Sequence, residues 1–291
     1  MSMPLVEQVM SNEEFLLFRD TIHDHCGIYF DDESKYLLEK RIVSRITERG
    51  LSSYREYYNF LRFNRKKEQE MLDLLDVLTT NETYFFREMH QLKAFTDEII
   101  PELAEIRKKN GNRVLRIWSA GCSSGEEPYT IAMLLNEIPE MRRWKIEIIG
   151  TDISQRVLQL ARLAVYGSSA FRATDEYFRK KYFIDHGGKY RICDSMREMV
   201  TISHLNLLDT RRIEMLGQMD MIFCRNVIIY FDQTAKKITV EAFHSSLHDG
   251  GFLLLGHSES LMNITTLYKL RHFKNDMIYQ KPHAALLSGG A

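Results

Sequence analysis

Apolar residues recur every three or four positions near the start of the chain, the spacing that puts them on one face of an α-helix. Between residues 12 and 78 this pattern predicts four helices separated by short turns. Asn12 is a candidate N-cap for the first helix, and Ser53 with Glu56 matches a capping box for the third. The apolar faces of the first, second and fourth helices are Phe15, Phe18 and Ile22, then Leu38, Ile42 and Ile46, and then Met71, Leu72, Leu75 and Leu78. We therefore predict a small all-helical N-terminal domain.

After residue 113 the pattern changes to short apolar runs that alternate with helical segments. The runs predict strands at 114–118, 145–150, 199–204, 219–224 and 251–256, and the segments between them predict helices at 126–137, 154–164, 208–216 and 233–247. Such alternation is typical of an α/β fold with a mostly parallel sheet between helices. Residues 268–281, YKLRHFKNDMIYQK, predict a hairpin that closes the sheet with an antiparallel last strand. By analogy of fold, this is the Rossmann-like architecture of class I methyltransferases.

Two segments depart from these patterns. About 30 residues separate the helix ending near Gly167 from the strand at 199, and they predict a further helix at about 174–181 and a small β insertion that turns at Gly187–Gly188. This insertion is either a contact device or a structural elaboration. The second segment, TTNETYFFRE at 79–88, breaks the helical rhythm and carries three consecutive aromatic residues. We expect it to pack onto the second domain and bring polar groups to its site.

Composition excludes several classes of protein. The 291 residues carry a net charge of −1, which gives no general attraction to nucleic acid or to an acidic membrane. The four cysteines form no C-x-x-C pair and no histidine stands at metal-ligand spacing, so we expect reduced thiols, no metal site and a cytoplasmic protein. We also expect no signal peptide and no membrane-spanning segment.

The strand, turn and helix at 114–131, VLRIWSAGCSSGEEPYTI, predict the first crossover of a nucleotide-binding sheet. The turn has only Gly121 and Gly125, and Glu126 and Glu127 occupy the helix N-terminus where a dinucleotide would need to place its phosphates. S-adenosylmethionine has an ammonium and a sulfonium but no phosphate, so these acids favour it over NAD. Alternatively, both glutamates complement the helix dipole in solvent.

Asp152 and the residues that follow the fourth strand are further candidates. Asp152 ends the second strand, where an acid binds the ribose hydroxyls of an adenosine, although it could instead cap the next helix, a role open to Ser154. The fourth strand leads into IFCRNVIIYF, whose Cys224, Arg225, Asn226 and Tyr230 are expected to face the cleft; this turn lacks the prolines typical of enzymes that methylate amines.

Two more motifs have competing explanations. GHSES at 256–260 resembles a hydrolase nucleophile elbow, but it lacks the second glycine. Arg41, Arg45 and Arg49, beside Lys40, lie four residues apart on one helix face. They form either a solvated face or a docking surface for an acidic protein helix.

Five motifs, TTNETYFFRE, SAGCSSGEEPY, GTDIS, FCRNVIIYF and GHSES, in this order, resemble the chemotaxis receptor methyltransferase family (CheR). The resemblance covers nearly the whole chain. It implies a cytoplasmic enzyme that moves a methyl group from S-adenosylmethionine to glutamate side chains on receptor signalling helices, leaving S-adenosylhomocysteine. It also implies a receptor-facing helical domain at 1–78, a linker at 79–95 and a catalytic domain at 96–291, with a β-subdomain inserted at about 182–200.

The same resemblance assigns roles to individual residues. The implied cofactor contacts are Asn81, Thr83, Arg87, Glu127, Asp152, Asn206, Leu207, Cys224 and Arg225. Arg87 and Tyr230 are expected nearest the transferred methyl, and Arg41, Arg45 and Arg49 to contact the receptor. Some members grip a receptor's C-terminal pentapeptide with a longer β-hairpin loop, so this chain is expected to be independent of that peptide. A methyltransferase for another carboxylate or small molecule, and a non-catalytic receptor scaffold, remain as alternatives.

Overall fold

The N-terminal apolar faces meet in one helical core. In the computed structural model, which describes residues 9–109 and 111–283, this domain contains the helices α1 (Asn12–Cys26), α2 (Lys35–Arg49), α3 (Tyr54–Phe63) and α4 (Lys67–Leu78), with a 3₁₀ turn at Asp32–Ser34. Phe18, Ile42, Tyr57 and Leu74 are fully buried where the helices cross. The four predicted helices are therefore confirmed.

The helix caps differ in detail from the prediction. Ser11, rather than Asn12, caps α1: its hydroxyl accepts a hydrogen bond from the Glu14 N–H, and the Glu14 carboxylate accepts one from the Ser11 N–H. Ser53 caps α3 as predicted, with its hydroxyl accepting from the Glu56 N–H. The Glu56 carboxylate, however, accepts from the Ser52 N–H instead of the Ser53 N–H, so only half of the capping box forms. On α4 the buried face uses Leu74 where Leu72 was expected.

The second domain is built on a mixed sheet. Within residues 111–283 it has seven strands, β1 (Val114–Ala120), β2 (Lys145–Asp152), β6 (Val200–His204), β7 (Met219–Cys224), β8 (Leu247–Leu255), β9 (Lys269–His272) and β10 (Met277–Gln280). Their order across the sheet is β6-β2-β1-β7-β8-β10-β9. The first five strands in this order are parallel, while β10 runs antiparallel to β8 and to β9. The predicted sheet with a reversed strand is confirmed, although β8 begins four residues early.

Helices cover both faces of this sheet. They are α5 (Met89–Ala94), α6 (Ile100–Lys109), α7 (Glu126–Glu137), α8 (Gln155–Leu163), α9 (Glu176–Tyr182), α10 (Asp194–Arg197), α11 (Thr210–Met215) and α12 (Gln233–Ser246), with a π-helical segment at Phe95–Ile99 between α5 and α6 and 3₁₀ turns at Pro139–Arg143, Ser168–Phe171 and Ile228–Tyr230. Ile117 and Trp118, adjacent on β1, pack into opposite core clusters. The helix that begins at Met89 was not predicted from the sequence pattern. Because of this helix, the linker ends at Glu88 rather than at residue 95.

A second, smaller sheet forms the insertion. In the described part of the chain it comprises β3 (Val165–Tyr166), β4 (Phe183–His186) and β5 (Lys189–Ile192) in the order β3-β5-β4. Gly187 and Gly188 turn the hairpin at φ values of +63° and +81°, as predicted. The strand β3 lies outside the expected insertion, because a two-residue strand shows no alternation that a sequence pattern can detect.

The segment at 79–88 joins the two domains and is anchored by its aromatic residues. Phe85 and Phe86 are buried, and the Phe85 ring centroid lies 4.8 Å from that of Tyr166 and 5.0 Å from that of Phe183. This confirms that the segment packs onto the second domain. Of the helices within residues 9–109 and 111–283, none combines the length and the apolar character needed to cross a bilayer.

Candidate functional site

A cavity of about 300 Å³ opens where the carboxyl ends of β1, β2 and β7 meet the helical domain and the linker. The helical domain contributes Tyr29, Leu37 and Arg41 to its wall. The two domains are tied beside it, since the Tyr29 N–H donates to the Tyr230 carbonyl at 2.9 Å. The cavity therefore lies at the edge of the sheet where ligands of α/β folds bind, and two domains form it.

The glycine turn after β1 forms the floor. Gly121 has a φ of +78°, and a Cβ added there would lie 2.3 Å from Val227 Cγ2, so only glycine fits. The N–H groups of Gly121 and Cys122 donate to the Thr151 carbonyl, and the Ser123 N–H donates to Asp152 Oδ2 at 2.9 Å. The turn is thus fixed to the end of β2.

The two predicted acids of this turn have different surroundings. Glu127 faces the cavity, where Oε1 accepts from Ser119 Oγ and Oε2 from Arg225 Nε, both at 2.6 Å. Glu126 is 4% exposed and lies outside the cavity; it accepts from Ser124 Oγ at 2.7 Å, and burial raises its pKa to about 7. Since both are shielded, the alternative of a solvent-exposed pair is wrong, and only Glu127 is available to a ligand.

Asp152 does not cap a helix. Its Oδ2 and Oδ1 accept from the N–H groups of Ser123 and Ser154, each at 2.9 Å, and burial of the carboxylate raises its pKa. Ser154 Oγ is the cap of α8, accepting from the Val157 N–H. Asp152 lines the cavity, so the capping alternative is wrong for this residue.

The loop after β7 carries Arg225, Asn226 and Tyr230 to the cavity. Asn226 has a φ of +59°, and its N–H donates to the Glu259 carboxylate at 2.8 Å. That carboxylate also accepts from the N–H groups of Val227, Ile229 and Gly256 at 2.7–3.2 Å. Glu259 therefore fixes the loop. Its own N–H, the one that follows Ser258 and that an oxyanion hole at GHSES would need, donates to the Gly256 carbonyl at 2.9 Å. An acid soon after a buried strand is the one signal of this role that a sequence pattern offers.

Arg87 lies at the cavity wall on the linker. Its Nη1 donates to the Glu82 carbonyl at 3.0 Å, and its guanidinium carbon lies 5.8 Å from the centre of the Tyr84 ring. Arg172 stacks on the same ring at 3.8 Å and pairs with the Glu82 carboxylate at 2.7 Å. The Arg87 carbonyl accepts from Arg225 Nη1 at 2.9 Å, which ties the linker to the loop after β7.

Eight of the nine predicted cofactor residues line the cavity. They are Asn81, Thr83, Arg87, Glu127, Asp152, Asn206, Leu207 and Arg225. The Asn206 amide donates to the His25 carbonyl and accepts from the Leu208 N–H, so it also joins the domains.

Cys224 is the ninth, and its prediction as a cavity residue is wrong. Its side chain is fully buried in the core of the second domain, where burial raises its thiol pKa well above the ordinary value. Neighbouring residues of a strand point in opposite directions, so Arg225 reaches the cavity and Cys224 does not.

The predicted arginine stripe on α2 is not an open surface. Arg45 is 7% exposed, and it bonds to Glu70 at 3.0 Å and to Asp73 at 3.0 Å on α4. Arg49 pairs with the same two acids. Arg41 instead lines the cavity and donates to the Leu78 carbonyl. A solvated face and a docking surface are both wrong for Arg45, because it is buried and pairs with two acids of the adjacent helix α4.

Comparisons with known proteins cover the same two domains. The family described as "CheR methyltransferase, all-alpha domain" matches residues 13–79, and "CheR methyltransferase, SAM binding domain" matches residues 81–276. The chain is 37% identical to chemotaxis protein methyltransferase 2 of Vibrio cholerae, over 95% of this chain and 96% of that one. It is 38% identical to a chemotaxis protein methyltransferase of Borreliella burgdorferi, over 82% and 85% of the two chains. A third relative, chemotaxis protein methyltransferase 1 of Pseudomonas aeruginosa, is 34% identical over 93% and 98%.

Proposed function

The chain belongs to the CheR methyltransferase family, and on that basis we propose that its cavity esterifies glutamate side chains on the signalling helices of chemotaxis receptors. The protein is an S-adenosylmethionine-dependent methyltransferase of chemotaxis. One observation carries the assignment of the site: the cofactor-type acid Asp152 and the linker arginine Arg87 line one cavity.

The polar groups of the cavity fit the nucleoside part of S-adenosylmethionine. Each carboxylate oxygen of Asp152 accepts one backbone N–H and keeps a lone pair for a ribose hydroxyl. Leu207 offers an apolar face to the adenine, and Asn81 and Thr83 line the same cavity. Ser123 Oγ is buried without a hydrogen-bond partner among residues 9–109 and 111–283, which favours a ligand there.

The amino-acid part fits the other end of the floor. Glu127 and Arg225 set a carboxylate beside a guanidinium, the complement of the ammonium and carboxylate of a zwitterion. The Asn226 Oδ1 atom, in the next residue, is also buried without a partner within the described residues. An acid at the start of α7 would repel a phosphate bound at that helix N-terminus, and S-adenosylmethionine has no phosphate.

In this reaction the cavity residues align the substrate carboxylate with the methyl group, and no proton transfer is needed. When bound, the cofactor supplies an electrophilic methyl group on a sulfonium. A glutamate substrate is already ionised at neutral pH, since its reference pKa is about 4.3, and it needs no general base. Arg87 orients the substrate carboxylate through a forked contact, and Tyr230 lines the same cavity. Alignment of this kind is worth up to roughly 7–11 kcal/mol.

Receptor-rich membranes and S-adenosylmethionine labelled in the methyl group test this proposal. We expect transfer of label to receptor, with release by mild base as methanol, because a carboxylate ester is base-labile. A receptor with its target glutamates changed to glutamine is the control and should take up no label. Transfer that resists base, or label in small molecules alone, would contradict glutamate esterification while leaving cofactor binding intact.

Three finer points belong to the same proposal. The enzyme works in the cytoplasm, where receptor signalling helices lie. Of the three α2 arginines, Arg41 is the one that can meet a receptor segment at the cavity, since Arg45 and Arg49 are paired with acids. The two-glycine turn between β4 and β5 supports independence of a receptor pentapeptide. Binding of such a pentapeptide in calorimetry would contradict that independence.

A further inference from the structure

The back of the glycine turn, on the side away from the cavity, touches the small β-sheet. The Tyr166 hydroxyl, from the short strand β3, donates to the Ser124 carbonyl at 2.9 Å. Tyr166 is 5% exposed and does not line the cavity. It is therefore a polar contact to the cofactor turn from a part of the fold with no assigned role in cofactor binding.

The contact is tight as well as polar. Gly125 has a φ of +94°, and a Cβ added there would lie 3.2 Å from the Tyr166 hydroxyl oxygen and 3.0 Å from the Ala161 Cβ. The Tyr129 ring, at 3.1 Å from the same point, closes the third side. A side chain at residue 125 would consequently be crowded by Tyr166, and glycine lets the turn lie close to it.

Two regions hold the Tyr166 ring in place. Its backbone pairs with Tyr190 of β5, which connects it to the hairpin of the small sheet. Its ring meets the edge of Phe85 on the linker, with centroids 4.8 Å apart. Phe85 lies two residues before Arg87, so the small sheet, the linker and the turn meet at one side chain.

The glycine turn connects Tyr166 to residues that line the cavity. Ser123, next to the residue that Tyr166 bonds, has a φ of +49° and lines the cavity. Its N–H orients Asp152 through the 2.9 Å bond to Oδ2. A displacement of the turn would therefore disturb Asp152, the residue assigned to the ribose.

We propose that Tyr166 is a positioning residue for cofactor binding, and that the small sheet serves as the support of the glycine turn through its hydroxyl. This inference rests on the proposed placement of S-adenosylmethionine on that turn. In a chain whose hairpin has only a two-glycine turn, it gives the inserted sheet a function that requires no peptide.

Tyr166→Phe tests the inference, because it removes the hydroxyl and keeps the ring against Phe85. Calorimetric titration with S-adenosylhomocysteine should show a Kd about fivefold higher, the equivalent of one neutral hydrogen bond. The KM for S-adenosylmethionine should rise in parallel, while kcat at saturating cofactor stays within about twofold, since Arg87 is untouched. Tyr190→Phe is the matched control: that hydroxyl makes no hydrogen bond within the described chain, and its loss should leave the Kd unchanged.

The outcomes separate this inference from the proposed function. If Tyr166→Phe lowers the melting temperature but keeps the wild-type Kd, the hydroxyl is merely structural and the inference fails. If both variants weaken binding equally, the effect belongs to the small sheet in general and the inference also fails. If the wild-type protein binds no S-adenosylhomocysteine, the placement of the cofactor itself is wrong.

Discussion

Arginines in the helical domain and at the cavity show two uses of one side chain. Arg45 is buried and forms salt bridges with Glu70 and Asp73, so its positive charge is neutralised within the fold. Arg87 has no carboxylate partner among residues 9–109 and 111–283; it bonds to a carbonyl and lies over an aromatic ring. A guanidinium without a carboxylate partner in the fold is available to the carboxylate of a substrate, whereas one that forms salt bridges within the fold stabilises the domain.

Glu70→Ala should break the structural half of this contrast most severely. Glu70 is fully buried and accepts from Arg45, Arg49 and the Tyr57 hydroxyl at 2.8 Å. Its removal leaves the Tyr57 hydroxyl without an acceptor and takes from each arginine one of its two α4 acids, which should lower the free energy of unfolding by about 3–5 kcal/mol, as measured by urea denaturation. Glu48→Ala is the control, because Glu48 is an exposed partner of Arg45 and its loss should cost about 0.5 kcal/mol or less. Equal losses in the two variants would contradict the contrast.

Arg87→Ala should break the functional half. We expect receptor methylation to fall by roughly 100-fold or more, about 3 kcal/mol, the upper range for a hydrogen bond to a charged group. The Kd for S-adenosylhomocysteine should rise only modestly, and the free energy of unfolding should change little. Arg87→Lys keeps the charge without the fork and should recover only part of the rate. Normal turnover in Arg87→Ala would end the assignment.

Glu259→Gln extends the comparison to a buried carboxylate whose hydrogen-bond donors are backbone N–H groups instead of arginine side chains. The amide places a donor against N–H donors of Asn226 and Gly256, which should displace the loop that carries Arg225. We expect kcat/KM to fall by about tenfold. Ser258→Ala, at an exposed neighbour, should retain full activity, and an equal loss in the two variants would contradict the specific role of Glu259 in fixing the loop.

Glu126→Gln should have the smallest effect and a distinct pH dependence. Burial raises the Glu126 pKa from 4.5 to about 7, so the folded protein binds a proton that the unfolded chain releases near pH 4.5. The wild type therefore loses stability as the pH rises from about 4.5 to 7, and the neutral amide avoids this loss. Denaturation at pH 5 and pH 8 should show the variant gaining roughly 1–2 kcal/mol on the wild type at the higher pH. A difference that does not change with pH would contradict the raised pKa.

Local periodicity predicted what depends on neighbouring residues along the chain. The helix at 126–137 and the strand at 219–224 have the predicted bounds, and the turn at Gly187–Gly188 lies where two glycines permit it. Eight cavity residues were also placed by motif, because the loops at the carboxyl ends of parallel strands converge.

What the sequence could not predict depends on partners distant in the chain. Arg45 and Glu70 are 25 residues apart, so the helix pattern of α2 alone could not show that its arginines are neutralised. Glu259 binds main-chain N–H groups, which leave no mark in the sequence. Cys224 was misplaced because a motif names adjacent residues without saying which way each one points.

Leu37 and Arg41 belong to the N-terminal helical domain, yet they also form part of the wall of the cavity proposed to bind the cofactor. The N-terminal unit is consequently not an exchangeable adaptor. Grafting this domain from a relative would replace one wall of that cavity, so we expect a graft that changes the choice of receptor to change the turnover as well.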